Sequence, residues 1–308
     1  MELPFSCKEL NNKLFQMNLS TPIDLNIPFI AYGSFKPSEL RFNLIEEYVE
    51  DFYEIKIMGF MEEKDGVPIF GLGNDGYFSF TYSAFVLKFK NEYSEIAYQK
   101  ICENEPDTYY EWLELDNKNI LIGKSNLKGK NEFLERSWSF RNDPYFEYGL
   151  NACSEIFKSN NHIHKNDIEK EYFPFFKSSS AYMLLWTIIE RFCTLKYGNI
   201  SPTQKLKFLT SDPKINWEEA LLHIERKDKI YRSDKINEVL TLDRHKGAKR
   251  NIEYYYGIRS NMVHRGKEVF SDTFRISESF IELKLIFEDI LNSHGYFNKV
   301  TEQTEFKK

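Results

Sequence analysis

An arginine and a histidine near the C-terminal end of the chain, Arg259 and His264, have the types and spacing best suited to chemistry. A histidine titrates near neutral pH and can move a proton, whereas an arginine stays charged and presents a planar fork of donors to a phosphate. Together they can activate a ribose 2′-hydroxyl and stabilise the charge that develops on phosphorus, with no metal required. The competing interpretation is a basic helix end that favours the helix dipole.

A helix must hold these two side chains. Apolar and aromatic residues between positions 252 and 263 approximate one helical face, and Gly266 is a suitable stop, which predicts a helix over 247–264. A five-residue step turns about 140° around an ideal helix. Arg259 and His264 therefore converge only if the last turn relaxes or if a second chain completes the site.

The wider stretch carries a resemblance. Arg259-Ser-Asn-Met-Val-His264, preceded by Tyr254-Tyr-Tyr256, resembles the Arg-x4-6-His signature of HEPN domains. The resemblance implies an all-helical domain that forms a homodimer and joins two motifs into a metal-independent endoribonuclease site. Such proteins act on RNA as toxins or antiviral defence effectors, and a regulatory partner or antitoxin is left open. Many members have asparagine after the arginine, whereas this chain has Ser260, with Asn261 one place later.

A third candidate site residue, Glu190, lies on a predicted core helix. The helix spans Ala181 to Lys196, follows the capping cluster Ser178-Ser-Ser180 and is closed by Gly198-Asn199. A lone acid on such a helix needs a partner, and Arg259 or Arg191 would serve. We expect Glu190 to orient Arg259 or His264, and the alternative is an exposed end of the apolar stripe.

Charge is unevenly distributed along the chain. The net charge is −6, yet residues 151–308 carry 26 lysines and arginines against 22 acidic residues, and the first 150 residues carry 15 against 25. The half with the Arg/His motif is therefore the basic half. A cluster of basic residues in this half would suit RNA binding, although solvated helix faces have the same composition. The basic residues crowd into Arg226-Lys-Asp-Lys229, Arg232, Lys235, Arg244-His-Lys246 and Lys249-Arg250.

The N-terminal half contains a second candidate site. A short apolar run from Ile27 to Gly33 predicts a buried strand that enters a loop. The segment Phe29-Ile-Ala-Tyr32-Gly33-Ser34-Phe35-Lys36-Pro37 resembles the opening of gamma-glutamylcyclotransferase-like domains, and Ile101-Cys-Glu-Asn-Glu105 resembles a later segment, with Cys102 where an aspartate is common. The resemblance covers about residues 27–124 and implies a small mixed β-barrel with flanking helices.

The chemistry of this second site follows from its residue types. A loop such as Tyr32-Gly33-Ser34 can turn backbone N–H groups toward one point and hold a small anionic ligand. Glu105 can act as a general acid or base if burial raises its pKa. Alternatively, Gly33 only supplies a tight turn and Glu105 is a surface acid. Domains of this type often bind ligands or regulate, so we expect a sensor more than an enzyme here. An alternative for the whole chain is a non-catalytic protein that binds a ligand through this domain and dimerises through the helical one; a second is a cyclotransferase-type enzyme that acts at Glu105.

The sequence predicts an α+β protein: the N-terminal barrel, with a turn at Asp116-Asn117, then an all-α HEPN helical bundle that includes helices over 216–227 and 233–242. Five segments are expected: an N-terminal arm over 1–26, the gamma-glutamylcyclotransferase-like domain over 27–124, a linker over 125–160, the HEPN-like domain over 161–298 and a tail over 299–308.

Several classes of protein are disfavoured by composition. No run approaches the roughly 18 apolar residues of a membrane span, and the N-terminus lacks a secretory leader, so a cytoplasmic protein without membrane contact is expected. His162 and His164 are interpreted as a surface loop, and no metal or other cofactor is expected. The four cysteines, spaced far apart without a Cys-x-x-Cys pair, are interpreted as reduced thiols: Cys7, Cys102, Cys153 and Cys193.

Overall fold

The computed structural model describes residues 19–37, 39–64, 67–72, 80–124, 132–133, 138–158, 167–232, 238–265 and 269–296. The chain divides into two compact units: Met1–Phe140 with Leu195–Asn199, and Arg141–Thr194 with Ile200–Lys308. The division falls within the stretch predicted as a linker, and a helix occupies Pro144–Lys158 of that stretch. Both units contain helices and strands, so the α+β class is confirmed at this coarse level.

The first unit is built on one mixed sheet. Its strands follow the order β3-β2-β4-β1-β6-β5, and β7 pairs with β2 outside this path. The pair β1–β6 is parallel and the other pairs are antiparallel. The elements are β1 (Phe29–Ala31), β2 (Val49–Lys64), β3 (Val67–Gly71), β4 (Phe80–Phe89), α1 (Ser94–Asn104), β5 (Tyr110–Glu114), β6 (Asn119–Gly123) and β7 (Glu132–Phe133).

Local sequence accounts for the hairpin between β5 and β6. Asp116 and Asn117 both have positive φ, 49° and 56°, as a two-residue hairpin turn of the primed type requires. Leu115 and Lys118 exchange backbone hydrogen bonds of 2.8 and 3.0 Å across it. The turn predicted at Asp116-Asn117 is therefore confirmed.

Helix α1 packs against the sheet through Tyr98, Ile101 and Cys102. The hydroxyl of Tyr98 donates to the carbonyl oxygen of Ile27 at 2.7 Å, and its ring meets that of Phe29 edge-on with centroids 6.4 Å apart. These contacts hold the beginning of β1 against α1.

The expectation of a barrel is wrong, because no backbone ladder joins the two end strands, β3 and β5, in the described residues. Side chains satisfy the outer edge of β3 instead. The hydroxyl of Tyr110 donates to the carbonyl oxygen of Pro68 at 2.6 Å, and the amide of Phe70 donates to the Tyr32 hydroxyl at 3.4 Å. Pro68 also has no N–H to offer a further strand, so the sheet stays open.

The second unit is mainly helical. Its central helix α3 buries Tyr182, Trp186 and Phe192, and the hydroxyl of Tyr182 donates to the carbonyl oxygen of Tyr255 on α6 at 2.7 Å. Its elements are α2 (Pro144–Lys158), α3 (Asp167–Tyr197, whose last turn from Leu195 belongs to the first unit), α4 (Pro202–Thr210), α5 (Trp217–Ala220), β8 (Asp228–Tyr231), β9 (Val239–Leu242), α6 (Gly247–Arg265) and α7 (Val269–Ser293).

The expectation of an all-α second domain is wrong. The strands β8 and β9 form an antiparallel pair. Strand β9 lies within residues 233–242, which were predicted to be a helix, and β8 directly follows the helix predicted over 216–227. Ile230 and Leu242 are buried, so the pair contributes its alternate residues to the core. Its side chains pack on α6, where a Cβ built on Gly257 would lie 2.4 Å from Leu240 Cδ1.

The start of the central helix also differs from the prediction. Helix α3 begins at Asp167 and continues through Pro174, so the Ser178 cluster does not cap it. The hydroxyl of Ser178 instead lies 2.9 Å from that of Ser277 on α7. The predicted end is confirmed, because Gly198 follows the helix with a φ of +85°.

Candidate functional site

Helix α6 positions Arg259, and its beginning is fixed by a polar network. The carboxylate of Asp243 accepts from the backbone amide of His245 at 3.1 Å in the turn before the helix. The side chain of Asn251 accepts from the amide of Asp243 and donates to the carbonyl oxygens of Asp243 and Gly247, at 2.9, 2.9 and 2.8 Å. Ile252, Tyr255 and Ile258 are buried on the inner face. The rotation of α6 about its axis is thereby set.

Arg259 lies on the side of α6 that meets Glu190 of α3. Its Nη2 is 3.2 Å from Glu190 Oε1, and the two side chains are 26% and 35% exposed. The two groups form an ion pair but not a hydrogen bond. Both Glu190 Oε1 and Arg259 Nε are buried without a hydrogen-bond partner in the described part of the chain. Of the partners considered from sequence, Glu190 therefore has Arg259, whereas Arg191 bonds to Asp143 at 2.6 and 3.0 Å.

An aromatic pair supports the guanidinium from below. The Cζ atom of Arg259 lies 5.4 Å from the ring centroid of Tyr256, one turn earlier on α6. The Tyr256 ring in turn meets Trp186 edge-on at 5.4 Å. Arg259 is thus held by an acid on one side and by a ring beneath it, while about a quarter of its surface remains open to solvent.

His264 lies in the last turn of α6, and its side chain is outside the described residues. The α-helix continues without a break to Arg265, so position 264 is about 7.5 Å along and about 140° around from position 259. The relaxed turn that would bring both positions to one face of a single chain does not occur.

Some basic residues of the stretch predicted to bind RNA form ion pairs and hydrogen bonds within the protein. Arg226 bonds to Glu282, Asp228 and Ser279, and Arg232 pairs with Glu238. Other basic residues of the stretch are exposed, among them Lys229, Arg244, Lys249 and Arg250. The structure leaves these four available to an anionic partner, and Lys235 lies outside the described residues.

A cavity beside α6 was missed by the sequence reasoning. It has a volume of about 330 Å³ and lies within the second unit, between α4, the β8–β9 pair and α6. Its residues come from four separate segments, so no local pattern could have revealed it. The lining consists of Thr203, Leu206, Lys207, Thr210, Arg232, Glu238, Leu240, Lys249, Ile252, Glu253, Tyr256, Gly257, Ser260 and Asn261.

The first unit gathers the four residues predicted as its site. Tyr32, Gly33 and Ser34 follow β1, Glu105 follows α1, and all four line a cavity of about 30 Å³, which is room for about one water molecule. The amide of Lys36 donates to the carbonyl oxygen of Gly33 at 3.2 Å, so the loop is a turn whose Lys36 N–H is already used.

Arg41, which no sequence pattern indicated, lines the same cavity. Its Nη1 donates to Glu105 Oε1 at 2.8 Å and to Ser34 Oγ at 3.4 Å, and both ionic side chains are only 8% exposed. Burial raises the pKa of Glu105, and the neighbouring Arg41 opposes that rise. Burial likewise raises the pKa of Tyr32. Glu105 Oε2 and Arg41 Nε are buried without a hydrogen-bond partner in the described residues.

Neither unit assembles metal ligands in the described residues, where no group of three His, Cys, Asp or Glu side chains is placed to hold an ion. His162 and His164 lie outside those residues. Cys102, Cys153 and Cys193 are free and buried, and burial raises their thiol pKa values to about 11, 12 and 12. None of the helices described has both the length and the apolar character needed to cross a membrane.

Comparison with family models, curated proteins and solved structures finds no match to this chain.

Proposed function

We propose that this chain is a metal-independent endoribonuclease of the HEPN type that acts as a homodimer. The observation that carries the proposal is the setting of Arg259, a partly exposed guanidinium held by Glu190 and Tyr256 on the helix that also bears His264. A guanidinium held in this way is suited to the charge of a phosphodiester.

In the proposed reaction the 2′-hydroxyl of RNA attacks the adjacent phosphorus and the 5′-oxygen leaves, which gives a 2′,3′-cyclic phosphate. His264 moves the proton and Arg259 stabilises the charge that develops on the phosphate oxygens. Glu190 positions Arg259 and does not touch the substrate. These steps need an acid–base group and a fixed cation, and both are present on α6.

The uninterrupted helix is the reason for the second chain. Positions 259 and 264 lie about 140° apart around α6, so one copy presents them to different sides. Two copies related by a twofold axis can place Arg259 of one opposite His264 of the other. The active site is then shared between the copies.

We also propose a regulatory role for the first unit, from its resemblance alone. We assign it to the gamma-glutamylcyclotransferase-like type, with the second unit as the HEPN domain, in a cytoplasmic effector that acts as a toxin or an antiviral defence protein. The first unit would sense a small anionic ligand, and a regulatory partner or antitoxin would act on the same chain. The buried free thiols fit a reducing compartment.

One alternative is cyclotransferase chemistry at Glu105, and the contacts of Arg41 argue against it. A general base must reach the substrate, whereas Glu105 is bound to Arg41 in a cavity of about 30 Å³. If the alternative holds, the protein releases 5-oxoproline from gamma-glutamyl compounds and Glu105→Gln abolishes the release. We expect no release from the parent.

The test of the proposal is RNA cleavage in EDTA by the full chain, with product ends examined for cyclic phosphate. His264→Ala should abolish cleavage, while His245→Ala, which removes an exposed histidine before the same helix, should leave it intact. Folding and dimerisation are checked by melting and by light scattering. A His264→Ala protein that cuts as fast as the parent, or a parent that does not cut RNA, contradicts the proposal.

Glu190→Gln tests the positioning role separately. The Glu190–Arg259 pair is about a third exposed, so its loss should change the free energy of unfolding by less than about 1 kcal/mol. Cleavage should nevertheless fall about tenfold or more, because Arg259 is no longer held, while the Michaelis constant changes little. Unchanged cleavage by a folded Glu190→Gln protein refutes the role.

A further inference from the structure

The lining of the cavity beside α6 includes three kinds of side chain that could bind a ligand. Lysine side chains, Lys207 and Lys249, supply positive charge. The Tyr256 ring with Leu206 and Leu240 supplies an aromatic and apolar surface. Hydroxyl groups complete the lining: Thr203, Thr210 and Ser260. Small-molecule sites have this character of an apolar surface with a few polar groups, and volumes of about 300–1,000 Å³.

The two lysines are exposed and have no ion pair in the described part of the chain, whereas the other cation, Arg232, is paired with Glu238. With Glu253 counted, the lining carries one net positive charge. A phosphate group carries close to two negative charges at pH 7 and is bound by lysine ammonium groups. The charged part of a ligand is therefore expected at Lys207 and Lys249.

Two neighbours hold the ring of Tyr256 in place. Trp186 meets it edge-on at 5.4 Å and the Arg259 guanidinium lies over it at 5.4 Å. A fixed aromatic side chain in a cavity is a platform on which a planar base can stack. The cavity thus shares one side chain, Tyr256, with the setting of Arg259.

An unmet acceptor lies in the same wall. The amide nitrogen of Asn261 donates to the carbonyl oxygen of Tyr231 at 2.8 Å, which fixes the orientation of the amide. Its oxygen is buried and accepts no hydrogen bond within the described residues. Buried polar groups are ordinarily satisfied, so this oxygen marks a place for a ligand donor after a small adjustment.

We propose that this cavity binds a single nucleotide, with its phosphate at Lys207 and Lys249, its base against Tyr256 and its ribose near the hydroxyl groups. The volume of about 330 Å³ suits one nucleotide. The nucleotide is either free in solution or one unit of an RNA strand, since the chemistry that recognises it is the same. The site does not depend on RNA cleavage, because none of its contacts requires His264.

The experiment is calorimetric titration of the full-length protein in EDTA with AMP, CMP, GMP and UMP, with adenosine, and with a trinucleotide RNA of deoxy sugar at the cleavable positions. We expect saturable binding of one nucleotide per chain and weaker binding of adenosine than of AMP. The double variant Lys207→Gln/Lys249→Gln should weaken AMP binding by about tenfold for each lost contact. It should also abolish the difference between AMP and adenosine.

Lys214→Gln is the matched control, because Lys214 is an exposed lysine of the same unit outside the cavity, and it should bind AMP as the parent does. Ser260→Leu fills the cavity without changing a charge and should also prevent binding. Binding of the free nucleotides identifies a free ligand, and binding of the trinucleotide alone, sensitive to the same lysines, identifies an RNA subsite. No saturable binding of any probe, or binding unaffected by the lysine and Ser260→Leu variants, overturns the proposal. Each result is independent of whether the protein cuts RNA.

Discussion

Replacement of Arg41 by methionine should destabilise the first unit in a strongly pH-dependent way. The Arg41–Glu105 pair is 8% exposed on both sides, so methionine would leave a carboxylate buried without its cation. Burial already raises the pKa of Glu105 above 4.5, and the loss of Arg41 removes the interaction that opposes the rise. In the variant, Glu105 should therefore be protonated in the folded state at neutral pH.

The magnitude follows from proton linkage. In the unfolded chain Glu105 titrates near 4.5. Holding it neutral at pH 7 costs about 1.36 kcal/mol for each of about 2.5 pH units, or about 3 kcal/mol. The folded pKa is raised, so stability is lost as pH rises above 4.5 and is recovered as pH falls toward it. At pH 5 the same cost is below about 1 kcal/mol.

The assay is urea unfolding of the full chain at pH 7 and pH 5, followed by tryptophan fluorescence. The difference between parent and Arg41→Met should shrink by about 2.5 kcal/mol between the two pH values. Lys88→Met, which breaks the exposed pair with Glu50, is the matched control and should leave the midpoint unchanged. A loss of equal size at both pH values, or no loss at pH 7, would refute the reasoning.

Two further changes test the second unit by thermal melting. Arg226→Met leaves the carboxylate of Glu282, whose side chain is 10% exposed, without its bidentate partner. The free energy of unfolding should therefore fall by about 3–5 kcal/mol. The control is Lys227→Met, which replaces a 74% exposed lysine and should not shift Tm measurably. Equal shifts for the two would contradict the network. Gly247→Ala should cost about 1–3 kcal/mol through backbone conformation alone, since Gly247 has a φ of +76° and a ψ of 169° and a Cβ there meets nothing within 4 Å. Gly247→Asn should cost about as much, because this region differs from the left-handed helical region that asparagine tolerates, and an alanine variant as stable as the parent would contradict this account.

The local sequence pattern was sufficient to predict the structure of segments whose conformation depends on their own residues. The turn at Asp116-Asn117 and the helix end at Gly198 depend on residues that tolerate positive φ, and both occur as predicted. The helix bearing Arg259 was predicted over 247–264 and is observed over Gly247–Arg265. Its apolar spacing and its neighbouring glycines are enough to define it.

The local sequence pattern was insufficient to predict segments whose structure depends on contacts with residues far away in the chain. Residues 233–242 were predicted as helix, yet Val239–Leu242 is a strand, because Leu240 packs against Gly257 and Leu242 is buried with Ile230. The β3 edge is completed by tyrosine hydroxyl groups and not by another strand, which no strand pattern reveals.

The candidate sites show the same division. Glu190 was expected to find an arginine because a lone acid on a core helix needs one, and Arg259 is 3.2 Å away. Arg41 was not predicted to contact Glu105, since 64 residues separate them and neither segment carries a pattern that indicates the contact. The cavity beside α6 was not anticipated for the same reason, as its lining comes from four segments.

The most direct test of the shared active site is complementation between two inactive variants in EDTA. Arg259→Ala and His264→Ala proteins are each inactive alone under the proposal. After unfolding together and refolding, about half of the dimers should be mixed, and one of the two sites in each mixed dimer should be intact, which gives about one quarter of parental cleavage. Activity no greater than that of either variant alone would contradict a site built from Arg259 of one copy and His264 of the other.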